Sequence, residues 1–171
     1  MEPCRLSSAF YQGRAPVLAP LLLGKLLCRR LWGGSVLRSR IPETEFYFGE
    51  RDPACRASRG KTPRTRTLSE MGGTAYIYLC YGIHSLFNVV TGPCGFPEAV
   101  LIRGTEQISG PGRLTKAMQI TRELNGVDLC TSQDLWIEED GTVFSYVQTP
   151  RIGIDYATAE DREKLWRFVK K

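Results

Sequence analysis

The sequence feature that most constrains the fold is a pair of strand-like segments joined by a short tip. Residues 76–80 and 85–90 are rich in β-branched, aromatic and aliphatic side chains, a composition typical of strands. The residues between them include Tyr81 and Ile83, although hairpin tips are usually polar. The sequence therefore predicts a β-hairpin that presents two apolar side chains either to a partner or to another part of the same chain.

Length and composition narrow the class of protein. A chain of 171 residues with 42% hydrophobic and 24% charged residues suits one compact domain rather than a disordered segment. The formal net charge of +5 favours a polyanionic partner. The apolar run at 15–23 is too short to span a membrane, so no membrane partner is expected. Six cysteines without a CxxC pair and a single histidine predict neither a metal site nor a cofactor.

Periodicity predicts a mixture of helices and strands. One helix is expected to begin near Pro20, a second to run from Pro111 to Asn125-Gly126, and a third to occupy the tail after a Thr158 cap. The remaining apolar segments predict strands, at 33–40, 41–48, 98–106, 134–141 and 143–148. We therefore expect one α+β domain over residues 1–171, with a curved antiparallel sheet core, surrounding helices and a protruding hairpin.

The segment ETEFYF offers a first candidate for chemistry. Strand alternation places Glu43, Glu45 and Tyr47 on one face and leaves the other face for the core. A carboxylate two residues from an aromatic ring suits a general base beside a stacking surface, which is useful for cutting the bond to a flat base. Taken alone, this segment is more simply a solvated strand face.

The hairpin offers the opposite wall of such a slot. Alternation puts Tyr76 and Tyr78 on one face, which is either a half-buried sheet surface or a stacking surface for a base. At the tip, Tyr81 and Ile83 suit a wedge that enters a minor groove and fills the space left by an extruded nucleotide. Packing of this tip against the chain itself is the alternative.

Cationic residues are concentrated in two segments. Residues 51–67 form a loop with six cations and one acid, in which Arg59, Lys61 and Arg64 are candidates for phosphate contacts. The glycine-flanked helix start GPGRLTK adds Arg113 and Lys116. A solvated loop and an ordinary helix start are the alternatives. Arg103 is more specific, because an arginine within an apolar strand needs an anionic partner, for which Glu45 is a candidate.

Several blocks in order carry a family resemblance. From about Leu18 to Phe168 the chain resembles the alkyladenine (3-methyladenine) DNA glycosylases, in the segments IPETEFYFGERDPAC, RGKTPRT, YIYLCYGIHSLFNVV, EAVLIRG, GPGRLTKAM and PRIGIDYA. The resemblance implies a monofunctional enzyme that flips alkylated or deaminated purines out of duplex DNA and hydrolyses the N-glycosidic bond. It implies no cofactor, a monomer, and a location in the cytoplasm or nucleoid of a bacterium or in a eukaryotic nucleus.

The resemblance also assigns roles to individual residues. Glu45 corresponds to the general base, and Arg103 and the carbonyl group of Ile154 to groups that hold the attacking water. The flipped base is expected to stack between two tyrosines, and the tip residue to take the intercalating position. These positions are Tyr47 and Tyr78 for the base, Tyr81 for intercalation, and Asn88 for rejection of guanine by its exocyclic amine.

Two departures from the family pattern lie near the expected site. Arg56 stands in DPACRA where the family usually has a pocket histidine, and its permanent charge is expected to disfavour cationic lesions such as 3-methyladenine relative to neutral ones such as hypoxanthine. The connection at 107–109 is shorter than usual. A DNA-binding relative with lost or weakened catalysis is therefore an alternative, and a basic RNA-associated domain is another.

Overall fold

The computed structural model describes residues 1–171 and shows an α+β fold, as expected. All paired strands are antiparallel. The strands are β1 (Cys4–Arg5), β2 (Leu26–Arg30), β3 (Val36–Arg40), β4 (Glu43–Phe48), β5 (Ala75–Cys80), β6 (His84–Val90), β7 (Glu98–Ile102), β8 (Gly104–Thr105), β9 (Ile108–Ser109), β10 (Leu135–Glu139), β11 (Tyr146–Thr149) and β12 (Arg167–Lys170). The helices are α1 (Ser8–Tyr11), α2 (Ala15–Leu21), α3 (Pro111–Ala117) and α4 (Ala159–Glu163).

Two sheets organise the chain. A six-stranded sheet has the order β11-β12-β4-β7-β6-β5, and a four-stranded sheet has the order β1-β10-β2-β3. One face of the six-stranded sheet packs into the main core of 24 buried residues, to which β4, β7 and β6 contribute Phe46, Val100 and Phe87. Because strand side chains alternate, the residues between them point to the opposite face.

That opposite face carries a transverse row of polar and aromatic residues. Glu45 of β4 pairs with Leu101 of β7, Leu101 pairs with Asn88 of β6, and Asn88 pairs with Tyr76 of β5. The row brings together residues that are far apart in the sequence. The register of four adjacent strands therefore places the candidate carboxylate and the tyrosine hairpin on one surface.

The first predicted helix lies earlier in the chain than expected. The helix covers Ala15–Leu21, with Pro20 in its last turn, and residues 26–30 form β2. Gly24 separates them with a φ of +83°, and a Cβ atom there would lie 2.9 Å from the carbonyl oxygen of Thr142. A glycine turn thus ends the helix, and Leu26–Arg30 pairs between β10 and β3 instead of continuing it.

The other two predicted helices are shorter than expected. The second ends at Ala117, and Gln119 follows with a φ of +51°, which the right-handed helix does not allow. In the tail, the Thr158 cap is present, but the helix lasts only through Glu163. The segment Arg167–Lys170 then joins the six-stranded sheet beside β4. Trp166 stacks on Phe46 at 4.7 Å, so core packing outweighs the helical composition of the tail.

No helix is both long enough and apolar enough to cross a membrane.

Replacement of Phe168 by alanine tests the strand in the tail. Phe168 is 4% exposed and belongs to the main core, so we expect the free energy of unfolding to fall by about 3–5 kcal/mol. Leu165 is 50% exposed, and Leu165→Ala should lower it by less than about 1 kcal/mol. Urea denaturation followed by circular dichroism measures both. Equal losses in the two variants would contradict the observed packing of β12.

Candidate functional site

A cavity of about 800 Å³ opens on the face of the six-stranded sheet that carries the transverse row. Its floor is formed by side chains of β4 to β7, and its rim by the loop at 53–65, the start of α3, the end of the hairpin and the segment at 152–156. The candidate catalytic and base-binding residues that line it are Tyr47, Arg56, Tyr78, Asn88 and Arg103, and the intercalation candidate Tyr81 lines it at the hairpin end.

Glu45 is completely buried beside this cavity and is held by three donors. The backbone N–H of Ile152 donates to Oε1 at 2.8 Å. Arg103 and the hydroxyl group of Tyr47 donate to Oε2 at 3.3 and 3.1 Å. A carboxylate has about four acceptor positions, so these contacts occupy both on Oε2 and leave one on Oε1. Burial raises the pKa of Glu45, against the opposing effects of Arg103 and the two other donors.

Arg103 connects this carboxylate to the cavity. Its guanidinium group pairs with Glu43 at 2.9 Å and with Glu45 at 3.3 Å, so the expected contact between Arg103 and Glu45 is present. Arg167 of β12 also pairs with Glu43, at 2.6 Å. Two carboxylates and two guanidinium groups thus form one network on neighbouring strands, and Arg103 is the member that reaches the cavity wall.

Tyr47 is fixed from behind by a buried ion pair that the sequence did not reveal. Arg151 has no exposed side-chain surface and binds the Asp52 carboxylate in bidentate fashion, at 2.7 and 3.0 Å. Its guanidinium carbon lies 4.9 Å from the ring centre of Tyr47 and 4.7 Å from that of Trp166. Asp52 also accepts the backbone N–H groups of Phe48 and Ala54. This pair therefore joins the end of β4, the basic loop and the segment that carries Ile152.

The hairpin contributes the tyrosine wall as expected. Tyr76 and Tyr78 share a face of β5, with ring centres 5.3 Å apart. Asn88 donates to the carbonyl group of Tyr76, which holds its amide on the cavity floor. The guanidinium carbon of Arg56 lies 3.9 Å from the ring centre of Tyr78. Burial raises the pKa of Tyr78 to about 12, and the charge of Arg56 opposes that rise.

The hairpin tip is exposed and strained. It has three residues rather than the four expected, because His84 belongs to β6. Tyr81 and Gly82 have φ values of +52° and +67°, and Ile83 donates its N–H to the carbonyl group of Cys80, which is the pattern of a type I′ turn. Tyr81 is 87% exposed and Ile83 75%. A left-handed tyrosine with most of its side chain exposed costs folding free energy and gains little from packing, so a role outside folding is the better explanation for it.

The predicted phosphate ligands divide into two groups. Arg59, Arg64 and Arg113 line the cavity, whereas Lys61 and Lys116 are exposed but lie outside it. None of the five forms an ion pair within the protein. The loop at 51–69 is not a freely solvated segment, since it buries Cys55, Ala57 and Leu68 against the sheet. Arg59 and Arg64 therefore border the cavity from a loop that packs against the sheet.

The segment after β11 approaches Glu45 through its backbone. Ile152 lines the cavity and supplies the N–H to Glu45, whereas Ile154 packs with Ala54 and Ala157 and does not line it. Tyr156 lines the cavity and donates to the carbonyl group of Ala54 at 2.8 Å. Sequence reasoning missed Ile152 and Tyr156, because a backbone donor and a loop tyrosine leave no pattern.

The comparisons with known proteins agree in one family. The model of the methylpurine-DNA glycosylases matches residues 9–109 and 105–171. A protein of Methanocella arvoryzae is 44% identical, over 95% of this chain and 90% of the relative. Proteins of Psychrobacter cryohalolentis and Wolbachia sp. subsp. Brugia malayi are 41% and 43% identical, over 90% and 93% of this chain and 85% and 93% of the relatives. Each of the three bears the name "Putative 3-methyladenine DNA glycosylase".

The ion pair behind Tyr47 can be tested by removing one partner. Arg151→Met leaves the Asp52 carboxylate buried without its cation, so we expect the free energy of unfolding to fall by about 3–5 kcal/mol. The double variant Asp52→Asn/Arg151→Met should lose less than the sum of the single variants, because no buried charge is left unpaired. Arg162→Met, at an exposed position, serves as the control. Additive losses, measured by urea denaturation, would show that the pair does not act as a unit.

Proposed function

This chain belongs to the methylpurine-DNA glycosylase family, and from that premise we propose that it flips a damaged purine out of duplex DNA and hydrolyses its N-glycosidic bond. One observation carries the proposal. A buried carboxylate with an adjacent guanidinium group, Glu45 with Arg103, lies beside a tyrosine-lined cavity on the same sheet face. This combination provides a base, a means of positioning it and a slot for a planar ring.

Glu45 is the proposed general base. A water molecule donates a hydrogen bond to the remaining acceptor position of Oε1 and attacks the sugar C1′ atom. The new C1′–O bond forms as the bond from C1′ to the purine nitrogen breaks, the electron pair leaves with the purine, and the water proton passes to Glu45. Positive charge builds on the sugar during this step, and the ionised carboxylate stabilises it, as in glycoside hydrolysis.

Five further residues are proposed to hold the water and the base. Arg103, at the cavity wall, and the carbonyl group of Ile154, which in this structure accepts the N–H of Ala157 at 2.9 Å, hold the attacking water. Tyr47 and Tyr78 stack on the flipped base, which is supported by their positions on the cavity wall. Asn88, held by its bond to Tyr76, contacts the edge of the base from the floor and rejects the exocyclic amine of guanine.

The hairpin and the unpaired cations are proposed to hold the DNA. Tyr81 enters the duplex and fills the space left by the extruded nucleotide, with Ile83 packing against the neighbouring base pair. Arg59, Arg64 and Arg113 bind phosphates next to the cavity, and Lys61 and Lys116 bind phosphates farther along the duplex. The exposure of the tip and the absence of internal ion pairs support these roles.

A second candidate function is recognition of damaged DNA without efficient catalysis. The observation in its favour is the complete burial of Glu45, whose carboxylate does not reach the cavity surface. The membership in a DNA glycosylase family leaves no observation in favour of the RNA-associated alternative. Base release therefore distinguishes the two DNA functions.

The role of Glu45 is tested by single-turnover release of hypoxanthine from a duplex. We expect Glu45→Gln to reduce the rate at least about 100-fold, because the variant can neither take the proton nor stabilise the sugar cation. Binding to the duplex should persist. Glu123→Gln, at an exposed carboxylate that forms no ion pair in the protein, is the control and should retain most of the activity.

The pH dependence supplies a second readout of the same group. Glu45 must be ionised to act, and its pKa is raised, so the rate should increase with pH through a value above the ordinary pKa of glutamate. Release that is equally fast in wild type and Glu45→Gln would overturn this role. Lesion-selective binding by the wild type with no release would favour the second candidate function.

Tyr81→Asn separates the folding cost of the tip from its function. Asn-Gly is the preferred sequence for a type I′ turn, so we expect the free energy of unfolding to rise by about 1 kcal/mol. Hypoxanthine release from a duplex should fall about tenfold because the wedge is lost, whereas release from a single-stranded oligonucleotide should change little. An equal decrease on both substrates would show that Tyr81 does not act by replacing an extruded base.

A further inference from the structure

Arg56 contacts the aromatic wall of the cavity and has no anionic partner. The guanidinium carbon of Arg56 lies 3.9 Å from the ring centre of Tyr78, at van der Waals contact, and Arg56 lines the cavity. The neighbouring groups that sense its charge are Tyr76, Tyr78 and Cys80 of β5, and Tyr156. No carboxylate lies within ion-pair distance of it.

The other guanidinium groups beside the tyrosines differ in this respect. Arg151, behind Tyr47, is neutralised by Asp52 at 2.7 Å. Arg103 is neutralised by Glu43 and Glu45 at 2.9 and 3.3 Å. Their charges are largely cancelled over the distance of one stacked ring, whereas the charge of Arg56 is not. Among the unpaired cations that line the cavity, Arg56 is the one that lies over the ring of Tyr78, so its charge acts most directly on a base stacked there.

Damaged purines fall into two charge classes. Alkylation of a ring nitrogen, as in 3-methyladenine, leaves the base of the intact nucleotide positively charged. Deamination, as in hypoxanthine, leaves it neutral. An aromatic face attracts a cation through its quadrupole, but Arg56 already uses that attraction at Tyr78 and repels a second positive charge placed on the ring.

We propose that Arg56 is a specificity-determining residue that makes this site favour neutral purines over cationic ones. The inference rests on the proposed function and specifies its substrate class. The charge of Arg56 has different effects on the binding of the base and on the cleavage of its bond to the sugar. A cationic purine is repelled when it enters the slot, but it loses its charge as the glycosidic bond breaks. A neutral purine is not repelled, and it gains negative charge as the electron pair leaves with it, which Arg56 stabilises.

The two effects predict that Arg56 changes the half-saturating enzyme concentration for a cationic base and the saturating rate of bond cleavage for a neutral base. Removal of the charge in Arg56→Gln should improve half-saturation by a 3-methyladenine duplex about fivefold or more. The same variant should lower the saturating single-turnover rate on a hypoxanthine duplex by a similar factor. Arg56→Lys retains a charge and should behave more like the wild type than Arg56→Gln does on both substrates.

A contact between Arg56 and a DNA phosphate is the competing explanation, and it predicts a different pattern. Loss of a phosphate contact weakens binding of both duplexes equally and leaves their ratio unchanged. Equal effects of Arg56→Gln on the two lesions would therefore overturn the inference. If the wild type releases neither base, the proposed function fails and this inference with it, whereas release with an unchanged ratio overturns the inference alone.

Arg56→His gives a pH-dependent lesion preference, which a purely structural role of Arg56 would not produce. A histidine gains its charge as pH falls through about 6.5, so the preference for hypoxanthine over 3-methyladenine should increase as pH falls from 7.5 to 5.5 in this variant. Burial raises the pKa of Tyr76 and Tyr78 to about 12 and also raises that of Tyr156, so these hydroxyl groups stay neutral in that range. Cys80 and His84 also line the cavity and are unchanged in Arg56→Gln, so that variant is the control for both. The same pH trend in both variants would overturn the inference.

Discussion

The burial of the Glu45 carboxylate is the constraint around which the site is organised. A charge with no exposed surface needs hydrogen-bond donors, and here they come from three parts of the chain: Arg103 directly after β7, Tyr47 on β4 and the backbone of Ile152. Each donor also belongs to a second part of the site: Arg103 to the sheet, Tyr47 to the aromatic wall and Ile152 to the segment after β11. The need to satisfy one carboxylate thus ties together the sheet, the aromatic wall and the segment after β11.

The six-stranded sheet separates folding from function by its two faces. One face packs into the main core of 24 buried residues, which provides the rigidity that a preorganised site needs. The other face carries the polar row and is only partly covered, by a small cluster under the basic loop. Because successive side chains alternate, a single strand such as β4 serves both purposes: Phe46 belongs to the core, and Glu45 and Tyr47 to the site.

The arrangement of cations follows the same division. Guanidinium groups inside the protein are paired with carboxylates, as Arg151 is with Asp52, and they hold side chains in place. Those around the cavity mouth, such as Arg113, have no partner in the protein and are available to a polyanion. Arg56 lies between the two groups, unpaired yet stacked on the aromatic wall. The exposed tip at Tyr81, with its left-handed backbone, lies beside this surface. The unpaired cations and the strained tip, both of which are costly for folding, therefore occur together.

The sequence by itself determined strands β3 to β7, β10 and β11, the two faces of β4, the hairpin and the need of Arg103 for an anion, because these follow from alternation and local composition. It also carried enough ordered segments to indicate the family. Only the tertiary structure decided that Arg167–Lys170 is a strand and that Leu26–Arg30 leaves the helix, since pairing and core packing there outweigh local preference. The Asp52–Arg151 pair and the donor at Ile152 likewise depended on contacts between residues about a hundred positions apart. No local pattern encodes such contacts, because the physical need for them arises only when folding removes these groups from water.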